Sequence, residues 1–299
     1  MQEIRIEEEV GRIDSYLANL LEYSRSKIVK MIKDGTILVN GEEVKSSYQL
    51  RIGDVVSVGE YEEEEMSAEP EKMDLDIVYE DDDVIVVNKA NGVVVHPAIG
   101  NNHGTLVNGL LYHSKNLSDV NGEFRPGIVH RIDAYTTGLL MIAKNNEAHN
   151  ILADELARKE TTRKYWALVW GVIKHDTGTI DAPIGRDSVD RKKMCVTATN
   201  SKPAVTHFRV LERYKNATLI ELNLETGRTH QIRVHMNYIG YPVVNDPVYG
   251  KRKLIDNTGQ CLHAKTLGFI HPTTKKYMEF NSELPECFVN IMEQLKNEE

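Results

Sequence analysis

Cysteine is scarce and unpatterned in this chain: Cys195, Cys261 and Cys287 are three in number, odd and far apart. That excludes a disulfide framework and offers no paired-thiol or metal-ligand spacing, so each reads as a reduced thiol acting as a small hydrophobe. No apolar run reaches the length of a membrane span, and the first nine residues, with Glu3, Glu7, Glu8 and Glu9, are too acidic for a secretion signal. A cytoplasmic protein without membrane contact is expected. Glycine-rich phosphate loops of the P-loop and dinucleotide types are missing, so no nucleotide cofactor is expected. Repeats of fixed period are absent, as is the regular strand–helix alternation of a doubly wound fold.

Net charge is −9, a sign that disfavours nucleic acid as a partner until its distribution is considered. Between Glu60 and Asp83 the chain carries Glu62 to Glu65, Glu69, Glu71, Asp74, Asp76 and Glu80 to Asp83 against a single Lys72. The remainder is slightly basic. A solvated linker is the simplest reading of such a run.

On either side of it the patterns differ. Arg12 to Leu21 has apolar residues at helical spacing, and Ser24 to Asp34 reads as a second helix, capped by Ser24 and closed by Gly35. Ile28, Val29 and Ile32 are expected in a core, with Arg25, Lys27, Lys30 and Lys33 in water. Asn40-Gly41 is a hairpin signal, and Leu50 to Val58 closes with a strand. Beyond the acidic run, Ile77 to Tyr79, Val84 to Lys89, Arg163 to Trp170 and Ala217 to Leu224 read as strands, and Asn145 to Lys159 as a helix. These patterns predict an α+β protein: a mixed, largely antiparallel β-sheet domain with peripheral helices, plus a small N-terminal α/β domain. The expected divisions are 1–59, an acidic linker at 60–76, and 77–299.

The stretch with most chemical content is Gly127 to Lys144, where a hydrophobic run meets His130, Arg131 and Asp133, then Thr136, Thr137 and Gly138, then a second apolar run. Flanking strands give a rigid base for a loop carboxylate, and a neighbouring arginine can meet a phosphate or stack on a base. Taken alone, a hairpin with self-satisfied turn residues explains it equally well. Leu139, Leu140 and Ile142 are most simply core.

His130-Arg131-Ile132-Asp133-Ala134-Tyr135-Thr136-Thr137-Gly138-Leu139-Leu140 resembles the signature His-Arg-Leu-Asp-x-x-Thr-Ser-Gly-Leu-Leu of the RluA-type RNA pseudouridine synthases. Ala134 and Tyr135 replace a pair that is often Lys-Asp there. Four further blocks fit in order: Asn88 to Gly92 with His96-Pro97, Arg163 to Gly171, Glu225 to His235, and Tyr241 to Gly250 with Leu262 to Ala264. Residues 10–59 resemble the alpha-L RNA-binding module. The resemblance implies isomerisation of uridine to pseudouridine, a reaction that needs neither metal nor redox cofactor. Members carrying this module resemble those acting on large-subunit ribosomal RNA.

By the same resemblance, Asp133 is the catalytic carboxylate, either attacking the anomeric carbon or drawing a proton from the ribose. Arg228 matches the arginine that pairs with it. Tyr165 matches the aromatic residue beside the flipped base, where stacking suits it better than service as a base. Arg131 matches the arginine that fills the space left by that base. His130 is expected to be structural or to touch the RNA backbone, and Arg25, Lys27, Lys30 and Lys33 to touch phosphates. His230 and His235 bracket an arginine-rich strand and read as satisfied strand histidines. A noncatalytic RNA-binding factor and a glycosidic hydrolase are the rival classes; the second lacks an evident carboxylate partner for Asp133. A monomer is expected, since no self-pairing segment is evident. The target uridine lies beyond the sequence.

Overall fold

The computed structural model describes residues 2–61, 68–98, 101–122, 125–250 and 252–297. Its contacts divide the chain into two units, Met1–Glu65 and Met66–Glu299. The Glu62 to Glu65 run lies outside the described residues.

In the first unit, β1 (Gln2–Arg5) and β2 (Ile37–Val39) both pair antiparallel with β3 (Val55–Val58), beside α1 (Ile13–Leu20) and α2 (Arg25–Lys33). Ser24 caps α2 by accepting from the Lys27 amide at 3.2 Å. Ile28, Met31 and Ile32 are the buried stripe of α2; Val29 is only half-buried, because Met31 rather than Val29 lies on the inward face. Asn40 and Gly41 both take positive φ, the geometry of a tight hairpin turn. The turn is followed by a single bridge, Val39 to Glu42, rather than a strand.

The second unit is built on a nine-stranded sheet. Its elements in chain order are β4 (Ile77–Glu80), β5 (Val84–Lys89), α3 (Leu106–His113), β6 (Thr137–Ala143), α4 (Asn146–Ala157), β7 (Thr162–Trp170), β8 (Thr177–Asp181), β9 (Ile184–Arg186), β10 (Met194–Val196), β11 (Ser201–Lys202), β12 (Val205–Arg213), β13 (Ala217–Leu224), α5 (Gln231–Tyr238), β14 (Leu262–Ile270), β15 (Tyr277–Asn281) and α6 (Glu286–Lys296). The sheet runs β4-β5-β6-β14-β7-β13-β12-β8, with β15 on the far end of β14, and β9 to β11 form a separate small sheet. All its pairings are antiparallel except β6 with β14. Alternate residues of β5 and β6 feed different cores: Ile85, Val87, Leu140 and Ile142 on one face, Val84, Val86, Leu139 and Met141 on the other. Both faces are covered, so β6 reads as an unbroken apolar run.

β6 and β14 pair over only two positions, Thr137 with His263 and Gly138 with Ala264. Gly138 has φ of 106°, and a side chain there would strike the Ala264 backbone. This close approach, which only glycine permits, brings the loop before β6 to the centre of the sheet. Residues 68–76 are not free chain as expected of a linker. Leu75 and Ala68 pack on the main core, the Glu71 amide donates to Asn108, and Asn88 donates to Asp76 at 2.8 Å. Scattered apolar residues among the acids, invisible to a charge count, fasten it to the sheet.

Several histidines of the second unit are held below their ordinary pKa by burial. His263 sits between Thr137 and Ser282, each at 2.8 Å; burial, then Lys265, pushes it down to about 4. Burial, then Arg163, pushes His130 down to about 3. The unfolded chain binds protons near pH 6.5 that these folded imidazoles refuse, so stability falls as pH drops below 6.5 towards their folded values. Unfolding free energies from urea titrations are expected to be lower at pH 5 than at pH 7, by up to about 2 kcal/mol for each such imidazole; equal values would show that these imidazoles are not held neutral.

Candidate active site

Asp133 lies in the loop that enters β6. The Thr136 amide donates to its carbonyl at 3.0 Å, closing a turn. Lys89, at the end of β5 and 2 % exposed, donates to the carbonyls of Ala90, Val93 and Ala134 at 2.7–2.8 Å. Burial pulls its ammonium down to about 7 while Asp133 pulls it up. Three carbonyl acceptors need three protons, which only the charged form supplies. Gln260 donates to Thr136 at 3.1 Å, and the Met141 amide donates to His130 Nε2 at 3.2 Å. The loop is thus tied down on both sides of Asp133.

The carboxylate itself is held by Arg233, whose Nη1 donates to Asp133 Oδ2 at 2.8 Å. The rest of that guanidinium faces Asp246: Nε donates at 2.7 Å and Nη2 at 2.9 Å. Asp246 also accepts from the amides of Val248 and Tyr249. Burial opposes the Asp246 charge, but Arg233 and those amides more than offset it and hold the carboxyl below its ordinary range. Burial likewise opposes the Arg233 charge, and Asp246, with Asp133, holds it above its ordinary value. Asp133 Oδ1 makes no hydrogen bond among the described residues; His230 Nε2 is 3.9 Å from it. His230 is kept below its ordinary value by burial, against the pull of Asp133.

α5 positions Arg233. Gln231 accepts from Arg228 N and Thr226 Oγ1 and donates to Val205 and Thr206. His235 accepts from Thr206 and donates to the Ala182 carbonyl, both at 2.9 Å. His230, in the left-handed conformation (φ 56°), starts the helix and pairs with the Tyr249 hydroxyl at 2.8 Å. The stretch expected to be a strand is therefore a helix, buried from Gln231 to Met236, with Ile232 and Met236 packed in the main core.

Asp133, Arg131, Tyr165 and Arg228 all line one cavity of about 530 Å³. Tyr165 reaches it from the centre of the sheet, 6 % exposed; burial raises its phenol, which Arg163 lowers and Asp133 raises. Arg131 is exposed at the mouth and donates to Thr229 at 3.2 Å. Arg228 is not the partner of Asp133. Its Nε donates to the Pro203 carbonyl at 2.9 Å, and among the described residues the arginine on Asp133 is Arg233. The sequence signal was present: the same block holds a second arginine, but only a helix starting at His230 turns residue 233 inward. Asp246 and Lys89 lay in matched blocks without an assigned role.

Other expected contacts are modified too. His130 lines the cavity with its acceptor nitrogen committed to the Met141 amide, which is the structural alternative. Arg25 donates twice to Asp14, at 2.9 and 3.1 Å, and Asp14, 1 % exposed, also takes Arg12. Lys27 lies 4.1 Å from the Tyr23 ring centre and Lys30 lies 5.7 Å from that of Tyr61. Lys33 is exposed. Away from the cavity, Asp81, Asp83 and His271 place oxygen and nitrogen atoms within 4.8 Å of one another; Asp81 already accepts from Tyr79, His271 and two amides.

Removing Arg233 leaves Asp246 charged, buried and without a cation. Arg233→Met is expected to lower the unfolding free energy by about 3–5 kcal/mol, part of which the added Asp246→Asn restores. Arg228→Ala is expected to cost about 1 kcal/mol or less. Urea titrations check the order, and equal losses at the two arginines would refute it.

Residues 83–238 match the RNA pseudouridylate synthase family and residues 11–56 match the S4 domain. The chain is 55 % identical over 291 residues to the uncharacterized RNA pseudouridine synthase YlyB of Bacillus subtilis, covering 97 % of this chain and 96 % of that protein. It is 43 % identical over 301 residues to the ribosomal large subunit pseudouridine synthase D of Pseudomonas aeruginosa, covering 96 % and 92 %. Human RNA pseudouridylate synthase domain containing 1 superposes with a TM-score of 0.58 at 28 % identity, covering 75 % of this chain and 95 % of that structure. The chain is an enzyme of the RNA pseudouridylate synthase family, with an S4 domain towards its N-terminus.

Proposed function

We propose that this enzyme isomerises uridine in large-subunit ribosomal RNA, with Asp133 Oδ1 as its reactive oxygen. The observation that carries the assignment is the shared guanidinium. Arg233 ties Oδ2 and leaves Oδ1 without a hydrogen bond among the described residues, on the wall of a cavity of about 530 Å³, room enough for a nucleoside. Oδ1 either bonds to C1′ or takes the C2′ proton; in both routes uracil leaves with the glycosidic electron pair and rejoins through C5. A base inside a helix cannot reach this cavity, so the uridine is extruded. Arg131 at the mouth fills its place in the stack, and Tyr165 packs against the uracil face. The raised phenol favours packing over proton abstraction.

The ribosomal substrate follows from relatives named for the large subunit and from the S4 match. Lys27, Lys30 and Lys33 on α2 give the first unit a basic helix suited to phosphates. Among the described residues no helix is long and apolar enough to cross a membrane.

Asp133→Asn keeps the shape of the loop and removes the anionic oxygen. It is expected to bind RNA and to release no tritium from C5-labelled uridine RNA. Wild-type release by that variant would remove Asp133 from the chemistry. No release by the wild-type protein would leave an RNA-binding factor, and free uracil would indicate a hydrolase. Mapping pseudouridine in ribosomal RNA from cells with and without the gene is expected to show sites lost from the large subunit; an unchanged large-subunit map would refute that substrate.

A further inference from the structure

One cation in the cavity is unlike the others. Arg163 is 8 % exposed, yet its Nε is buried with no hydrogen-bond partner. Among the described residues its guanidinium joins no ion pair, whereas Arg233 beside the same cavity is held by two carboxylates. Burying a cation without a counter-ion is costly, and a buried orphan donor in a substrate cavity points to a ligand atom that completes it.

Its neighbours say which ligand atom. Strand alternation puts Arg163, Tyr165 and Ala167 on one buried face of β7. Tyr165 feels both Arg163 and Asp133 electrostatically, and His130 feels Arg163. Nη1 also lies against Gly227, where an added Cβ would sit 3.0 Å from it. Phosphates stay joined to the chain on both sides of an extruded nucleotide, so they are left near the mouth, where exposed Arg131 and Lys159 stand. Buried Arg163 instead shares its strand face with Tyr165, the side of the cavity assigned to the base.

We propose that Arg163 is a catalytic residue that donates to a carbonyl oxygen of the uracil and stabilises the charge that collects there as the glycosidic bond breaks. When N1–C1′ cleaves, both bonding electrons leave with N1 and spread onto O2 and O4. C1′ is made good by a bond to Asp133 Oδ1 or by loss of the C2′ proton to it. A fixed donor at a developing oxyanion needs no reorganisation during the step. The chain therefore keeps a cation that its own fold leaves unpaired, at a cost to stability.

This assignment rests on the cavity being the uridine site. The test compares full-length wild type, Arg163→Met, Arg163→Lys and Asp133→Asn on the same ribosomal RNA transcript, by single-turnover rate, RNA affinity across a salt series, and melting temperature. Arg163→Met is expected to slow the single-turnover step by about 10²–10³-fold, with unchanged affinity and salt slope and a melting temperature no lower than wild type. Arg163→Lys should recover part of the rate. A weaker affinity with the salt slope reduced by about one would make Arg163 a phosphate contact and overturn the proposal. So would a melting temperature that falls in both arginine variants while the rate per folded molecule holds. An inert Asp133→Asn beside wild-type rates for the arginine variants sinks only the role of Arg163; turnover by Asp133→Asn sinks the site itself.

Discussion

Arg233 is one guanidinium serving two carboxylates, and the site is arranged around that inequality. Asp246 receives Nε and Nη2 together with two backbone amides, so its charge is fully answered. Asp133 receives Nη1 alone. Taking ions out of water costs several kcal/mol each, and the return is adequate only when geometry is good and remaining lone pairs are filled. The planar fork of arginine meets two partners in fixed directions, which a lysine ammonium cannot copy. The triad keeps one negative charge in excess. That excess sits on the carboxylate facing the cavity, with one oxygen anchored and the other open.

Every member of this arrangement arrives from a different part of the sheet. Asp133 and Arg233 are 100 residues apart. The loop is set by Lys89 at the end of β5 and by the glycine-permitted contact of β6 with β14. The helix is set by Gln231 and His235 against Thr206 of β12 and Ala182. A shift of either element by one ångström would break a 2.8 Å bond, so the sheet and its two-sided core fix the chemistry as firmly as the side chains do.

This division explains what could be read before folding. Apolar alternation in β7 and β13 and the apolar runs of β5 and β6 follow from local pattern, and so does α4 with its Asn145 cap. Asp133 stood out through its surrounding motif. Arg228 and Arg233 could not be ranked the same way, since both lie in one block and each is a plausible partner for a carboxylate. What separates them is the left-handed turn at His230, an unusual conformation for a non-glycine residue, which starts a helix where a strand was expected. Lys89 was hidden for a related reason: its worth lies in three carbonyls, one of them 45 residues away, and carbonyls leave no trace in side-chain patterns. In the acidic stretch, charge masked Leu75, whose contact with the core decides that segment's fate.

Charge sum and charge placement also part company. The chain carries −9, while the cavity wall presents Arg125, Arg131, Lys159, Arg163, Arg228 and Arg233 against Asp133 and Glu225. At physiological salt, exposed charges beyond roughly 8 Å are largely screened, so an approaching RNA responds to the wall and not to the total. Inside, screening is weak and pairing decides the outcome. Arg233 is neutralised by its own fold, Lys159 is paired to Glu225 at 2.6 Å, and Arg163, with its Nε buried, has no counter-ion among the described residues. A cavity whose one unpaired deep cation adjoins its aromatic wall is complementary to a planar ring that becomes negative, and less so to the neutral ring that enters. That is the difference between binding uridine and promoting its departure from ribose.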